Sequence, residues 1–287
     1  MLIKNDNRKE LSIRFLGQIK LEGTLICKTG LHIGGGNDDL KIGGIDKYVI
    51  KTSDNKPYIP GSSLKGKMRS LLEKARGKQS NRSGGTEKIF RYEADDINEA
   101  LQDDFSRLFG ATAEVSNKLN FPARLVVHDL YPIDYKLEIK SENTLDRLSA
   151  HANPRTNERV AKDSTFKLHL DYNIEIIEGP GKKLCLGNEQ KESFEDYLET
   201  MIEDINALIE ALILVEYSYL GGNGSRGYGQ VSFEDLEVTV STAKQILRSE
   251  AGKKTGAIDT LNAVKIKINQ DSEEIKKYIA AFYKPEV

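Results

Sequence analysis

Residues Tyr58 to Gly77 read YIPGSSLKGKMRSLLEKARG, and the fold turns on how they are assigned. Pro60-Gly61 stops a strand, and Ser62 or Ser63 is a natural N-cap for a helix. Leu64, Met68, Leu71, Leu72 and Ala75 recur at helical spacing and form one apolar stripe. Lys65, Lys67, Arg69, Lys74 and Arg76 crowd the remaining surface. Gly66 is the odd residue, because glycine in a helix costs about 1 kcal/mol relative to alanine. Close approach of another backbone is one reason to accept that cost. A helix N-terminus offers free N–H groups and partial positive charge, which suits a phosphate. Two readings stand: a clamp on a phosphate backbone, or an ordinary amphipathic helix with solvated lysines.

Strands flank this helix on both sides. Ser12 to Leu31 reads as one long or bent strand, with Gly17 and Gly23 as bulge positions, and Tyr48-Val49-Ile50 as a second, short one. Asp95 to Phe109 is expected to be helical, with Ile97, Leu101, Phe105 and Leu108 on one face and Gly110 as its stop. Phe121 to Ile133 and Phe166 to Ile177 read as strands, and Pro180-Gly181 as a turn. Ser193 to Glu216 is the clearest helix, with an unbroken apolar stripe and a capping box of Ser193 with Asp196. Val231 to Val240 is a strand, and the polar tail after it carries a helix near Ser272 to Tyr283 and reads as an appendage. The order strand, helix, strand, strand, helix, strand is the split βαβ, ferredoxin-like arrangement of an α+β fold, shared by many RNA binders.

The totals constrain function by what they omit. The chain has 287 residues, 38% hydrophobic and 30% charged, with a formal net charge of -2 and no tryptophan. Bulk charge therefore does not announce a nucleic-acid binder, but its distribution is uneven. Gly61 to Arg91 holds nine Lys or Arg against Glu73 and Glu87, and Glu93 to Asp104 reverses the sign with six acids. A neutral total with a basic patch suits one face that binds a polyanion. Cys27 and Cys185 are far apart and His32, His128, His151 and His169 are scattered, which argues against a structural zinc site. A lone histidine on a strand, such as His128, is more often structural than a ligand. The unpaired cysteines and the absence of a signal peptide or apolar span point to the cytoplasm and away from a membrane.

Two glycine-rich stretches and one polar excursion are the remaining candidates for chemistry. Thr29 to Asp39 reads TGLHIGGGNDD, with Gly34, Gly35 and Gly36 permitting close backbone approach, but it lacks the Gly-Lys-Ser/Thr ending of a Walker loop. Asp38, Asp39 and Asp46 lie within nine positions. Such carboxylates can bind a divalent cation or handle a proton, and spacing alone does not choose between them. Tyr219 to Gln230 carries five glycines around Asn223, Ser225, Arg226 and Tyr228, a second backbone-binding candidate. Ser141 to Lys167 is polar, turns at Asn153-Pro154 and holds Arg147, Arg155 and Arg159. It reads as a projecting hairpin whose arginines can grip phosphates or lie beside bases, or as a solvated insertion.

Taken together, TGLHIGGGNDDLKIGGID at Thr29 to Asp46, YIPGSSLKGKMRSLL at Tyr58 to Leu72, and LGGNGSRGYGQV at Leu220 to Val231 carry a resemblance. So do Asn143 to Leu148, Ala152 to Arg155, and Glu158 to Val160. The chain resembles the backbone subunits of the type III-A CRISPR effector, the Csm complex, within the RAMP superfamily, in the right order over roughly Gly17 to Val240. The resemblance implies a modified RNA-recognition fold spanning residues 1–240. It also implies a thumb hairpin at 134–165, whereas an expanded peripheral insertion at 78–118 and a C-terminal extension at 241–287 depart from the short members of the family. It further implies copies stacked head to tail along a CRISPR RNA beside other Csm subunits. Complementary target RNA would be cut at six-nucleotide intervals near each thumb, in a reaction needing a divalent metal, Mg²⁺ or alternatively Mn²⁺.

On this resemblance Asp46 is the cutting residue and the candidate metal ligand, with its role as ligand or base left open. His32, Lys65, Lys67 and Arg69 become guide contacts, joined by Gly34 to Gly36, Ser63, Arg147, Arg155, Arg159, Asn223 and Arg226 as RNA-binding positions. Attack by the 2′-OH of RNA would leave a 2′,3′-cyclic phosphate and a 5′-hydroxyl. The alternatives are a non-cleaving structural subunit that binds the guide, and the equivalent backbone nuclease of a type III-B or related type III complex.

Overall fold

The computed structural model describes residues 12–35, 45–83, 90–95, 97–111, 120–178 and 193–281. In chain order its elements are β1 (Ser12–Cys27), α1 (Gly61–Ala75), β2 (Arg82–Ser83), β3 (Phe90–Arg91), α2 (Ile97–Gln102) and α3 (Asp104–Phe109). Then come β4 (Leu125–Val127), β5 (Pro132–Asp134), β6 (Leu137–Leu145), β7 (Ala152–Val160), β8 (Thr165–Glu178) and α4 (Phe194–Glu216). The chain closes with β9 (Val231–Thr242), α5 (Ala243–Leu247), β10 (Lys253–Lys254) and α6 (Leu261–Ala280).

The main sheet runs β10-β9-β1-β8-β4, with β5 also pairing β8, and every pairing is antiparallel. Reduced to β1-α1-β4-β8-α4-β9, this is the ferredoxin-like unit with the sheet order last, first, third, second. β1 lies at its centre because it alternates buried Ile19, Leu21 and Leu25 with polar Gln18, Lys20 and Glu22. Its register shifts against β8 between Phe15 and Gly17, and against β9 between Glu22 and Thr24. Both shifts fall at the expected glycines. At Gly17 a Cβ would stand 2.3 Å from the Ser241 carbonyl, so only glycine lets the strands approach this closely.

Helices α1, α4 and α6 cover one face of the sheet and share one apolar core. α4 begins where expected, with Ser193 and Asp196 forming a reciprocal capping box. α6 differs from its expected position: it starts at Leu261, not near Ser272. Leu261, Val264, Ile268, Ile275 and Ile279 are buried in the main core, so the helix packs as part of the body. The polar run Asn269 to Glu274 interrupts its stripe, and that interruption hid the first half in the sequence.

Four other boundaries are corrected. The helix expected over Asp95 to Phe109 is two short helices, because Asp103 takes an extended backbone and caps α3 by accepting from Ser106 N–H. The strand expected over Phe121 to Ile133 is β4 and β5, separated by residues 128–131, where Leu130 bridges Ile59. Tyr48 to Ile50 forms no strand: Val49 makes an isolated bridge with Gly34, and the preceding Lys47 bridges Asn157. α1 starts at Gly61 after Pro60, with no side-chain cap from Ser62 or Ser63. Instead Asp129, from the segment after β4, accepts the Gly61 N–H at 2.7 Å. On its apolar stripe Leu64, Met68 and Leu72 are buried, while Ala75 is exposed.

Under the helices lies a buried ionic knot. The Asp204 carboxylate of α4 accepts from Arg107 Nε at 2.7 Å, Arg124 Nη1 at 2.9 Å and the Tyr172 hydroxyl at 2.7 Å. Asp204 and Tyr172 are buried, as are both arginines. The knot ties α3, the approach to β4, β8 and α4 together. Among the described residues no helix is long and apolar enough to cross a membrane.

Candidate RNA-cutting cleft

The hairpin β6–β7 stands apart from the main sheet as its own two-stranded sheet, paired from Leu137 with Val160 to Leu145 with Ala152. Its base is fastened to the body by a two-way backbone bridge between Leu31 and Val160, 2.8 Å in each direction. Alternation along the strands then puts Lys140 and Glu142 on one face of β6, and Arg155 and Asn157 opposite them on β7. That face forms one wall of a cleft of about 530 Å³, closed by Asp46 and Lys47 on one side and Asn223 and Arg226 on another.

Asp46 is exposed at this cleft and held from one side. The Thr156 N–H and hydroxyl both donate to its Oδ2, at 2.5 and 3.2 Å, and the Asp46 N–H returns a bond to the Thr156 carbonyl at 3.0 Å. Among the described residues both side-chain contacts use Oδ2, which leaves Oδ1 for a ligand. One free carboxylate oxygen fits a hydrated, hard divalent ion that takes its other ligands from water and phosphate. Four cations, Lys47, Lys140, Arg155 and Arg226, line the cleft against two carboxylates, Asp46 and Glu142. Glu142 is engaged by Lys140 at 3.3 Å and Arg226 at 3.2 Å. Partial burial pushes its carboxyl up, but Tyr228, Lys140 and Arg226 outweigh that and hold it below its ordinary range. The Tyr228 ring lies buried beneath, with Lys140 Nζ 4.4 Å and the Arg159 guanidinium 4.8 Å from its centre. Among the described residues its hydroxyl has no hydrogen bond of normal geometry, and burial first, then Glu142, raises its pKa.

The other expected site residues fall into three groups. Arg155, Asn223 and Arg226 share the cleft with Asp46. His32 is buried beside it, its Nδ1 2.7 Å from the Glu158 carbonyl, and its own carbonyl accepts the Gly222 N–H at 2.8 Å. It therefore supports the glycine turn from below, and Gly34 and Gly35 continue from it along Val49 and Ile50. Arg159 donates to Glu138 at 2.6 Å and packs over Gly30, where a Cβ would meet its side chain. Arg147 sits at the exposed hairpin turn next to Leu148, which is 100% exposed. Gly36, Asp38 and Asp39 lie outside the described residues, as do Pro180, Gly181 and Cys185.

On α1 the basic residues divide. Lys65 donates to the Leu125 carbonyl at 2.7 Å, and Arg69 to the Tyr92 carbonyl at 2.8 Å, close to Glu93. Arg76 pairs with Asp104 at 3.0 Å and Glu210 at 2.9 Å, and Lys78 with Asp103 at 2.9 Å. The acidic run after Glu93 thus folds back on the helix and neutralises much of the patch that looked polyanion-binding in isolation. What faces outward is Ser62, Gly66 and Lys67, whose Nζ lies 3.7 Å from the centre of the Tyr219 ring in the glycine turn. A Cβ at Gly66 would meet nothing within 4 Å. Lys47, Lys140, Glu142 and Asn157 were not singled out in the sequence. Strand alternation in the hairpin is the one sequence signal for Lys140, Glu142 and Asn157, Lys47 has none, and the register that aligns them is tertiary.

A family model described as the RAMP superfamily matches residues 24–232. A Methanocaldococcus jannaschii protein named CRISPR system Cms endoribonuclease Csm3 is 34% identical over 88% of this chain and 94% of its own length. Its Streptococcus thermophilus namesake is 38% identical over 83% of this chain and 97% of its own. A solved chain of a Csm3–Csm4 subcomplex from a type III-A interference complex shares the fold, with a TM-score of 0.52 at 23% identity over 90% of this chain and 97% of that one. Matches of this extent leave one conclusion: the chain belongs to the RAMP superfamily and, within it, to the family of Csm3 CRISPR endoribonucleases.

Proposed function

We propose that this chain is the backbone subunit of a type III-A effector and that Asp46 lies at the point where it cuts target RNA. Copies of the chain line a CRISPR RNA together with other Csm subunits, and complementary RNA is cleaved once per copy, at six-nucleotide intervals. The observation that carries this reading is the position of Asp46. Its carboxylate is exposed in a cationic cleft between a projecting hairpin and a glycine turn, with Oδ2 fixed by Thr156.

The chain's own residues supply positioning. Arg155, Arg226 and Lys140 offer donors to phosphates on either side of the scissile bond, and the hairpin, with Arg147 and Leu148 at its tip, displaces a nucleotide from the stacked duplex. In a displaced nucleotide the 2′-OH can align with its own phosphate, so much of the rate enhancement comes from orientation. The 2′-OH gives its proton to water as its oxygen bonds to phosphorus, the bond from phosphorus to the 5′-oxygen breaks, and that oxygen takes a proton from water, leaving a 2′,3′-cyclic phosphate and a 5′-hydroxyl. Asp46 would hold a divalent ion, Mg²⁺ or Mn²⁺, which would supply charge stabilisation at the phosphate. The guide contacts are proposed at the outward Gly66 and Lys67 of α1, at the half-buried Ser63 and at the glycine turns. Lys65 and Arg69 hold the helix in place from within while they add positive potential.

The test is cleavage of labelled complementary RNA by the assembled complex in Mg²⁺ and in EDTA. Regularly spaced cuts that vanish in EDTA and in Asp46→Ala, with guide content unchanged, are expected. Intact cutting in Asp46→Ala would reject that residue, and absence of cutting in the wild type would leave a structural guide-binding subunit.

A further inference from the structure

Two of the four histidines, 41 residues apart in the chain, are brought face to face by the pairing of β4 with β8. Val127 pairs with Leu170, so the next step places His128 opposite His169, and the His128 N–H donates to the His169 carbonyl at 3.2 Å. Their rings stack with centroids 4.1 Å apart at 21°. Asp171 is two residues beyond His169 on the same strand and therefore on the same face. Both imidazole Nε2 atoms converge on its carboxylate, His128 at 2.7 Å from Oδ2 and His169 at 3.2 Å from Oδ1. The candidate donor atoms of all three residues lie within 4.8 Å of one another. None of the three lines the Asp46 cleft.

We propose that His128, His169 and Asp171 form a binding site for a borderline-soft divalent transition ion of the Zn²⁺ class. Two imidazoles and one carboxylate are the donor set such ions take when three ligands come from protein and a further position stays open to solvent. The same set is a poor match for Mg²⁺, which prefers oxygen throughout. Tetrahedral zinc with bonds of 2.0–2.2 Å holds its donors roughly 3.4 Å apart. The observed spacing reaches that by small rotations of the imidazoles, which are 43% and 28% exposed at the side chain, around an Asp171 side chain that is only 10% exposed. The buried carboxylate is the fixed point and the two histidines are the movable jaws.

The site has a structural consequence. His128 precedes Asp129, whose carboxylate caps α1 at Gly61. A Cβ on Gly61 would stand 2.2 Å from the Val127 carbonyl, so the end of β4 and the start of α1 are pressed together. An ion bridging His128 to β8 fastens the short strand β4 at the sheet edge and, through it, the start of the helix that carries Lys67.

The experiment uses the untagged full chain, stripped with chelator and titrated with Co²⁺ and Zn²⁺. One equivalent of Co²⁺ should produce visible ligand-field absorption, Zn²⁺ should displace it, and Zn²⁺ should raise the melting temperature while an excess of Mg²⁺ does neither. His169→Ala and His128→Gln should each weaken binding more than about tenfold, a loss that even outer partners of a metal ligand can cause. Their metal-free melting temperatures should stay close to that of the parent, because both imidazoles are partly exposed. Absence of stoichiometric binding in the parent, or binding that survives in both variants, would overturn the proposal.

Discussion

Thr156 holds Asp46 by two donors on a single oxygen: its N–H and its hydroxyl both reach Oδ2, at 2.5 and 3.2 Å. The two residues are 110 positions apart, and what joins them is the base of the hairpin, where Lys47 bridges Asn157. A carboxylate fixed in this way presents Oδ1 in a constant direction. Thr156→Ala removes one donor and leaves the backbone N–H. Hydrogen bonds to charged groups are worth about 1.5–3 kcal/mol, so the lower end, about tenfold in the single-turnover cutting rate, is expected. Thr156→Ser should restore the rate. Equal rates in the parent and the alanine variant would show that the hydroxyl does not orient Asp46.

Glycine substitutions on α1 should separate packing from ligand contact. Gly61→Ala would drive a methyl group into the Val127 carbonyl and should lower the melting temperature. At Gly66 a methyl group meets open space, so alanine should stabilise the isolated chain by up to about 1 kcal/mol. If the gap at Gly66 admits guide backbone, the same variant binds guide RNA more weakly despite its added stability. Unchanged guide affinity would mean that the gap serves no ligand.

Removal of the Asp204 carboxylate takes the shared buried counter-charge from Arg107 and Arg124. Asp204→Ala should destabilise the protein by about 3–5 kcal/mol, the usual result of breaking a buried ion pair from one side. In a chain of this size that corresponds to a fall in melting temperature of roughly 10 °C by calorimetry or circular dichroism. An unchanged melting point would exclude the knot as a stabilising element.

Acid should loosen the contact between α4 and α6. Partial burial pushes the Glu210 carboxyl up, but Lys265, at 2.7 Å, and Arg76 outweigh it and leave its pKa below 4.5. The unfolded chain therefore binds this proton more readily than the folded one, so the contribution is present above the unfolded pKa and is lost as pH falls through the folded value. The stability gap between the parent and Glu210→Gln should be open near neutral pH and close as the pH falls through the lowered folded-state pKa. A gap independent of pH would show that Glu210 titrates alike in both states.

Much of the fold was legible from short-range patterns. Alternation in β1 and β8, the stripe of α4 and the Ser193–Asp196 capping box depend on neighbours a few residues away, and the structure has them where the pattern lies. Where short-range reading failed, a distant partner had replaced a local one. Asp129 caps α1 in place of Ser62 or Ser63, and buried Leu261 and Val264 extend α6 past a polar break. The basic surface of α1 misled for the same reason, since Glu93, Asp103 and Asp104 return to meet it.

By itself the sequence determined the order and kind of the main elements of the ferredoxin-like core, and through its family resemblance it singled out Asp46, Arg155, Asn223 and Arg226. Periodicity, capping and glycine are local properties that survive without coordinates. Only the tertiary structure decided that these four face one cleft, that His32 lies beneath the glycine turn, and that His128 and His169 meet over Asp171. Those relationships follow from strand register, in which a slip of one residue turns every side chain to the other face, and register is settled by the packing of the whole sheet.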